Sequence, residues 1–319
     1  MRTSITASLK NRIFMNKNSE LIGIIYVIIA GMLWGTTGIY VRWFTNLGLS
    51  SLQITVFKMF IAAIVLLLFC AIFKRDALKI NKKDIWVFIC SGLISMDFFT
   101  VCYFSTIQNA DLSIAATLLY AAPAIVLVLS VILFHEKFTA KKAIACVMAF
   151  LGCFLVSGLI GSGTTIPGKA LLTGALSAFG YALYSIFGQI AIDKGYKSLT
   201  ITTYTFLFAF LGSLVLLRPS EVAVAASRTT TPMFIFMLVA IAICVSLLPY
   251  VFYTMGLERI APSKASVIAS VEPVTATIIG ALIFKEYPDI YGLCGIIVVL
   301  SAIIILNSNK APGDIEQEN

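Results

Sequence analysis

The chain has 319 residues, of which 60% are hydrophobic and 12% are charged, with a mean hydropathy of +0.99. Soluble domains are about half apolar and about a quarter charged. A water-soluble fold cannot hide this much apolar surface, which excludes an ordinary cytosolic enzyme, a secreted disulfide scaffold and a disordered chain. An integral membrane protein is the class that remains.

The formal net charge is +8, from 23 Lys and Arg residues against 15 Asp and Glu residues. Most basic residues lie in short connectors between apolar runs, so we interpret the charge as a topological signal and expect no nucleic-acid partner. The seven cysteines lie in apolar runs, and the single histidine, His135, cannot form a metal site alone. We therefore expect no metal and no cofactor.

Apolar runs of about 19–25 residues recur along the chain and predict an all-α membrane protein with ten transmembrane helices. Barrel strands would be shorter and half polar, so helices are favoured. The runs lie at Leu21–Val41, Ser51–Phe73, Ile85–Ile107, Asp111–Phe134, Ala140–Ile160, Gly168–Ala191, Leu199–Leu217, Pro232–Gly256, Ser263–Phe284 and Asp289–Asn307.

The distribution of basic residues predicts the orientation. If both termini are cytoplasmic, 17 Lys and Arg residues fall in cytoplasmic segments and five in outer segments. Positive residues concentrate in cytoplasmic loops. We therefore predict that residues 1–20 and 308–319 are cytoplasmic tails of a multi-pass protein in the cell (inner) membrane.

The two halves of the chain are related by a repeat. A shift of 150 positions aligns the third to fifth spans with the eighth to tenth, pairing Val101 with Val251, Pro123 with Pro273, and Glu136 with Glu286. Five spans per half is an odd number, so the second repeat (161–307) is expected to be inverted relative to the first (21–160). Inverted repeats around a midplane site are a recurring plan of secondary transporters and support alternating access.

The aligned segments also carry a family resemblance. Ala115–Lys137 and Ala265–Tyr287 resemble the paired signature of EamA-type permeases of the drug/metabolite transporter superfamily. Ala30–Gly35 is similar to the start of that family's first helix, and Val56–Lys58 resembles its second helix, which usually carries Arg at the third position. The resemblance implies a ten-helix, two-repeat fold with a central substrate cavity, and it leaves the substrate open.

Three ionisable residues, Lys58, Asp97 and Glu272, lie inside predicted spans. A charge near the bilayer centre costs at least about 2.5–3.5 kcal/mol, so such residues are functional candidates. We predict that Glu272 couples protons or binds a substrate amine, and that Asp97 is a second substrate-binding and proton-coupling acid. Lys58 is predicted to form an ion pair with an acid, to hold a substrate carboxylate or to extend outward. The alternative for each is a structural role.

Prolines and aromatic residues supply further candidates. Pro123, Pro249 and Pro273 are predicted hinges, because a proline inside a span frees backbone groups. Aromatic faces with a few polar groups suit amphipathic solutes or ammonium groups. The predicted substrate-binding set is Trp34, Asp97, Tyr120, Tyr181, Tyr184, Ser246, Tyr250 and Glu272.

The sequence therefore favours a secondary active transporter that works by alternating access. It has no Walker A motif, which excludes ATP as the energy source. Export of an amino acid or related compound, driven by protons, is the leading hypothesis. An uptake or efflux carrier for quaternary ammonium or drug-like cations is the alternative, and a membrane-embedded enzyme or receptor is a remote one. Whether the chain forms a homodimer is left open.

Overall fold

The computed structural model describes residues 17–110, 112–159 and 166–308, and regular structure in these ranges is helical throughout. Residues 1–16 and 309–319 of the predicted tails lie outside the described residues. The same is true of Asp111 and Ile160, the predicted start of the fourth span and end of the fifth.

Ten long helices of the described residues form two sets of five, which confirms the predicted fold class, and a short helix, Pro219–Ser227, lies between the seventh and eighth of them. Within the described ranges, nine helical stretches are long and apolar enough to cross a membrane. The remaining one, α5, has 17 residues and packs along the whole of α10. The helices are α1 (Lys17–Asn46), α2 (Ser51–Phe73), α3 (Lys82–Asn109), α4 (Ile114–Phe134), α5 (Ala140–Val156), α6 (Gly168–Asp193), α7 (Ser198–Leu216), α8 (Thr231–Leu257), α9 (Pro262–Phe284) and α10 (Ile290–Asn307).

Helices α4 and α9 are each interrupted at the same place in their repeat. The main helix of α4 restarts at Ala122, next to Pro123, and that of α9 restarts at Val271, shortly before Pro273. A proline lacks the N–H that would bond to the preceding turn, so a helix accommodates it best in its first turn. Two of the three predicted hinge prolines, Pro123 and Pro273, thus lie at breaks in the helices, and their role as hinges stays a prediction.

Two π-helical segments also occupy equivalent places, and the sequence did not indicate them. They are Cys90–Phe98 in α3 and Ala242–Leu247 in α8, which the shift of 150 residues superimposes. In α8 the N–H of Leu248 bonds to the carbonyl of Ile243, five residues earlier. Pro249 follows at once and cannot donate an N–H to Val245. π turns inside α-helices are frequent at functional sites.

Small residues allow α1 to approach the second repeat closely. A Cβ atom on Gly35 would lie 2.9 Å from the carbonyl oxygen of Glu272, and one on Gly31 would lie 3.1 Å from that of Ala269. Glycine at both positions therefore lets α1 pack against the break in α9. The spacing Gly31-xxx-Gly35 serves this contact within the chain.

Candidate functional site

A central cavity of about 400 Å³ lies among helices of both repeats. This volume is in the range of pockets that hold small molecules. Its lining begins near the middle of the spans, at Tyr181 in α6, and reaches Val41 in the second half of α1 and Ser51 at the start of α2. The cavity therefore extends toward the side of the helix bundle opposite Lys17, the first described residue.

Two opposite charges line this cavity. Lys58 comes from α2 and Glu272 from α9, and the two side chains are close enough to interact electrostatically. Neither side chain forms a hydrogen bond or a salt bridge with another described residue. Both charged groups are therefore available to a ligand. This arrangement can hold a molecule that carries an ammonium and a carboxylate at once.

Most of the predicted binding residues meet at the cavity. Trp34, Tyr120, Tyr181, Ser246, Tyr250 and Glu272 all line it. Tyr184 does not; it is buried behind Tyr250 and lines a smaller adjoining void with Ser95 and Tyr253. The structure also adds Thr100 and Tyr103 of α3 to the cavity lining, which the sequence analysis did not single out.

Asp97 lies outside the cavity lining. Its neighbours Met96 and Phe99 face the cavity, whereas the carboxylate of Asp97 is directed at Gly212 of α7. Both carboxylate oxygens are buried and have no hydrogen-bond partner among the described residues. The sequence-based role of Asp97 in substrate binding and proton coupling therefore stays a prediction, and this position offers it no direct contact with the cavity.

An aromatic cluster closes the end of the cavity that lies toward the side of Lys17. The ring centroid of Trp34 lies 5.2 Å from that of Tyr250 and 5.5 Å from that of Tyr253. Tyr184 packs edge-to-face on Tyr250, with centroids 4.9 Å apart. Such edge-to-face pairs contribute about 0.5–1.5 kcal/mol beyond their burial. We call Trp34, Tyr184, Tyr250 and Tyr253 the aromatic floor.

Hydrogen bonds between α6 and α8 fix the aromatic floor. The hydroxyl of Tyr184 lies 2.8 Å from that of Thr254, and the hydroxyl of Ser185 lies 2.7 Å from that of Tyr253. All four side chains are buried, so each pair satisfies polar groups that water cannot reach. The two bonds join the first helix of the second repeat, α6, to its third, α8.

Below the floor, ionic contacts connect the helix ends on the side of Lys17. Lys264 at the start of α9 donates to Glu20 of α1 over 2.6 Å. The carboxylate of Glu258, after α8, accepts a bond of 2.7 Å from the backbone N–H of Ser198. The Lys264–Glu20 contact joins the two repeats, and the Ser198–Glu258 contact joins two helices of the second repeat on the same side of the bundle.

A second set of contacts lies at the opposite side, around the cavity mouth. Arg42 at the end of α1 donates two bonds of 2.6 Å to the carboxylate of Glu286, just after α9. These hydrogen bonds hold the pKa of Glu286 below its usual value. The repeat equivalent, Glu136, contacts Lys142 at 2.8 Å and accepts a hydrogen bond from Ser263. The two repeat-related acids thus have different partners on the two sides.

The comparison with protein families decides the classification. The sequence profile of the EamA-like transporter family matches residues 21–158 and again residues 168–308. The chain belongs to the EamA-like transporter family. Its two matched halves correspond to the two sets of five helices, and the family makes it a multi-pass membrane transporter.

Individual relatives of this EamA-like protein agree with that assignment. A protein of Archaeoglobus fulgidus named as an uncharacterized transporter is 25% identical over 291 residues, which cover 88% of this chain and 94% of that one. The uncharacterized transporter YxxF of Bacillus subtilis is 25% identical over 288 residues, which cover 88% of this chain and 88% of that one. The inner membrane transporter YicL of Salmonella typhimurium is 23% identical, with 89% of this chain and 95% of that one covered.

A solved crystal structure shares the fold. It superimposes with a TM-score of 0.76, at 16% sequence identity, and the match covers 92% of this chain and 97% of that chain. The likeness concerns the fold alone.

Proposed function

We propose that this protein is a secondary active transporter that carries a small zwitterionic metabolite, an amino acid or a related compound, by alternating access. The observation that supports it is the presence of two opposite charges, Lys58 and Glu272, on one cavity. Neither side chain forms a hydrogen bond or a salt bridge with another described residue. In a protein surrounded by hydrocarbon, such charges are costly, so their presence indicates that a function retains them.

The proposed binding mode follows from charge complementarity. The carboxylate of Glu272 takes the ammonium of the substrate, and the ammonium of Lys58 takes the substrate carboxylate. Hydrogen bonds to charged groups contribute about 1.5–3 kcal/mol each. Trp34 and Tyr250 supply apolar faces for the rest of the molecule.

A carrier for quaternary ammonium or drug-like cations is the second candidate. The aromatic residues around the cavity support it, because a cation is attracted to the face of an aromatic ring. Lys58 argues against it, since a second positive charge in the same cavity repels a cationic substrate. We therefore rank the zwitterionic substrate first.

We assign proton coupling to Glu272. A carboxylate that binds the substrate's ammonium in one state and a proton in the other makes the two ligands compete, which is the basis of antiport. Asp97 is the second candidate for this role, because its buried carboxylate has no hydrogen-bond partner among the described residues. Its position behind the cavity lining separates it from the substrate.

The proposed orientation decides which side of the membrane the cavity faces. With both termini in the cytoplasm, as the basic residues indicate, the cavity faces the exterior and the aromatic floor closes the cytoplasmic side. The relative YicL is named an inner membrane transporter, which supports the same membrane for this chain. We propose that the two repeats, residues 21–160 and 161–307, rock about the breaks near Pro123 and Pro273 to expose the site alternately, with export as the working direction.

Counterflow in proteoliposomes tests this function. Purified protein is reconstituted in two sets of vesicles, one loaded with a high concentration of an unlabelled amino-acid mixture and one with unlabelled choline, and the entry of the corresponding labelled solute is followed in each. We expect amino acids to exchange and choline not to. Exchange of choline alone would favour the cation carrier, and no exchange of any solute would reject the transport proposal.

A further inference from the structure

Two buried hydroxyl groups on the cavity lining have no hydrogen-bond partner in the part of the chain that the structure describes. The hydroxyl oxygens of Thr100 in α3 and Ser246 in α8 are buried and make no hydrogen bond with the described residues. Thr100 is 4% exposed and Ser246 is fully buried. Buried hydroxyls are nearly always hydrogen-bonded, because an unmade bond costs about 1–3 kcal/mol. A group that enters the cavity would supply the missing partner.

The local structure directs both hydroxyls to this place. Ser246 lies inside the π-helical segment of α8, and Thr100 follows the π-helical segment of α3 by two residues. A π turn is wider than an α turn, so it changes which side chains face the cavity. Pro249 adds to this in α8, since it leaves the carbonyl of Val245 without the N–H donor of a normal α turn.

The hydroxyls and the charges come from different helices. Lys58 and Glu272 belong to α2 and α9, whereas Thr100 and Ser246 belong to α3 and α8. A substrate whose two charged groups are bound by α2 and α9 therefore has its remaining part available to α3 and α8. A purely aliphatic side chain would leave both hydroxyls unsatisfied.

We propose that Thr100 and Ser246 form a hydrogen-bonding subsite that recognises a hydroxyl or amide on the side chain of the transported amino acid. The inference rests on the proposed function, because it takes the amino acid to be bound by Lys58 and Glu272. It narrows the substrate class to polar, uncharged amino acids. A hydroxyl both donates and accepts, so the subsite suits groups that do the same.

Isosteric ligands test the subsite in the intact protein. Binding of L-threonine and L-valine, which differ by a hydroxyl in place of a methyl, is measured by thermal-shift titration and by inhibition of counterflow. We expect the wild type to bind L-threonine about tenfold more tightly. Thr100→Val and Ser246→Ala should each reduce this preference to about twofold or less, whereas Thr100→Ser should keep it.

Ser130→Ala is the matched control. The hydroxyl of Ser130 is also fully buried and has no partner among the described residues, but Ser130 does not line the cavity. This variant should retain the tenfold preference. Three outcomes would overturn the subsite and leave the proposed function standing. They are equal binding of the two ligands by the wild type, a preference that survives in both cavity variants, and a preference that is lost in Ser130→Ala. Failure of the wild type to bind either ligand would overturn the subsite, and failure to exchange any amino acid in the counterflow test would overturn the proposed function with it.

Discussion

Lys58 of α2 and Glu272 of α9 line the same cavity and interact electrostatically, but they do not form a salt bridge. A closed pair would neutralise both charges and leave little for a ligand. Two charged groups that do not bind each other can each bind a group of a ligand. The first two predictions test what each member of this pair does.

Glu272→Gln should uncouple transport from the proton gradient. The amide cannot exchange a proton, so a pH gradient should no longer drive substrate movement, whereas counterflow should persist. The affinity for an amino acid should fall about tenfold to a hundredfold, since a bond between two charged groups is replaced by a weaker one. Gradient-driven uptake and counterflow are measured on the same proteoliposomes.

Glu286→Gln is the control for this variant. It removes an acid just after the same helix, at the cavity mouth and outside the cavity lining. Gradient-driven transport should survive in this variant. Proton-driven transport at the wild-type rate by Glu272→Gln would remove Glu272 from the coupling mechanism.

Lys58→Met should abolish recognition of the substrate carboxylate. The wild type should prefer an amino acid over its methyl ester by about tenfold, because the ester cannot pair with the ammonium of Lys58. The variant should bind both about equally. Competition by the acid and the ester is measured in counterflow.

Lys169→Met serves as the comparison, since Lys169 is exposed at the start of α6 and lies outside the cavity lining. It should leave the preference for the free acid unchanged. A preference that persists in Lys58→Met would mean that another group binds the carboxylate.

Asp97 and Gly212 should be energetically coupled. A methyl group on Gly212 would overlap the carboxylate of Asp97, so Gly212→Ala should destabilise the protein by about 1–3 kcal/mol. Asp97→Ala removes the closer of two overlaps, the other being with Leu93, so the double variant should lose less than the sum of the two single variants. Thermal unfolding of all four proteins in one detergent completes the cycle, and strict additivity would show that the two residues do not touch.

Transport by Asp97→Ala separates its two possible roles. We expect this variant to keep gradient-driven transport, because Asp97 lies behind the cavity lining. Loss of the proton drive with counterflow intact would transfer the coupling role from Glu272 to Asp97.

The hydropathy of the sequence was sufficient to predict the architecture. A helix needs about 20 apolar residues to cross the hydrocarbon core, and this requirement is visible without any knowledge of packing. The repeat was equally accessible, because a shift of 150 residues keeps Pro123 on Pro273 and Glu136 on Glu286 without a gap. The restarts of α4 and α9 follow from these prolines.

The direction of individual side chains was not accessible in the same way. Neighbouring residues of an α-helix point about 100° apart, so a boundary error of one residue changes the face that a side chain occupies. The π-helical segment in α3 adds a further rotation, and Phe99 carries no signal comparable to Pro249 in α8. This explains why Asp97 was expected in the cavity while the structure directs it to Gly212, and why Thr100 was missed.

Tyr184→Phe and Tyr253→Phe should loosen the closed side of the cavity. Each change removes one hydroxyl that joins α6 to α8 and leaves the ring in place. A buried hydrogen bond contributes about 1 kcal/mol, so each variant should favour opening of the floor by about fivefold. Amide hydrogen exchange at Leu248–Leu257 reports this opening, because exchange follows the population of opened states.

The control for this measurement is Tyr103→Phe. Tyr103 lines the cavity, and its hydroxyl makes no hydrogen bond with the part of the chain that the structure describes. The amide hydrogen exchange of α8 in Tyr103→Phe should match that of the wild type. If all three variants accelerate exchange equally, the effect arises from the cavity as a whole, and the hydroxyl pairs do not hold the floor. If only Tyr184→Phe and Tyr253→Phe do so, the hydroxyl pairs between α6 and α8 are the contacts that must break before the site opens on the other side.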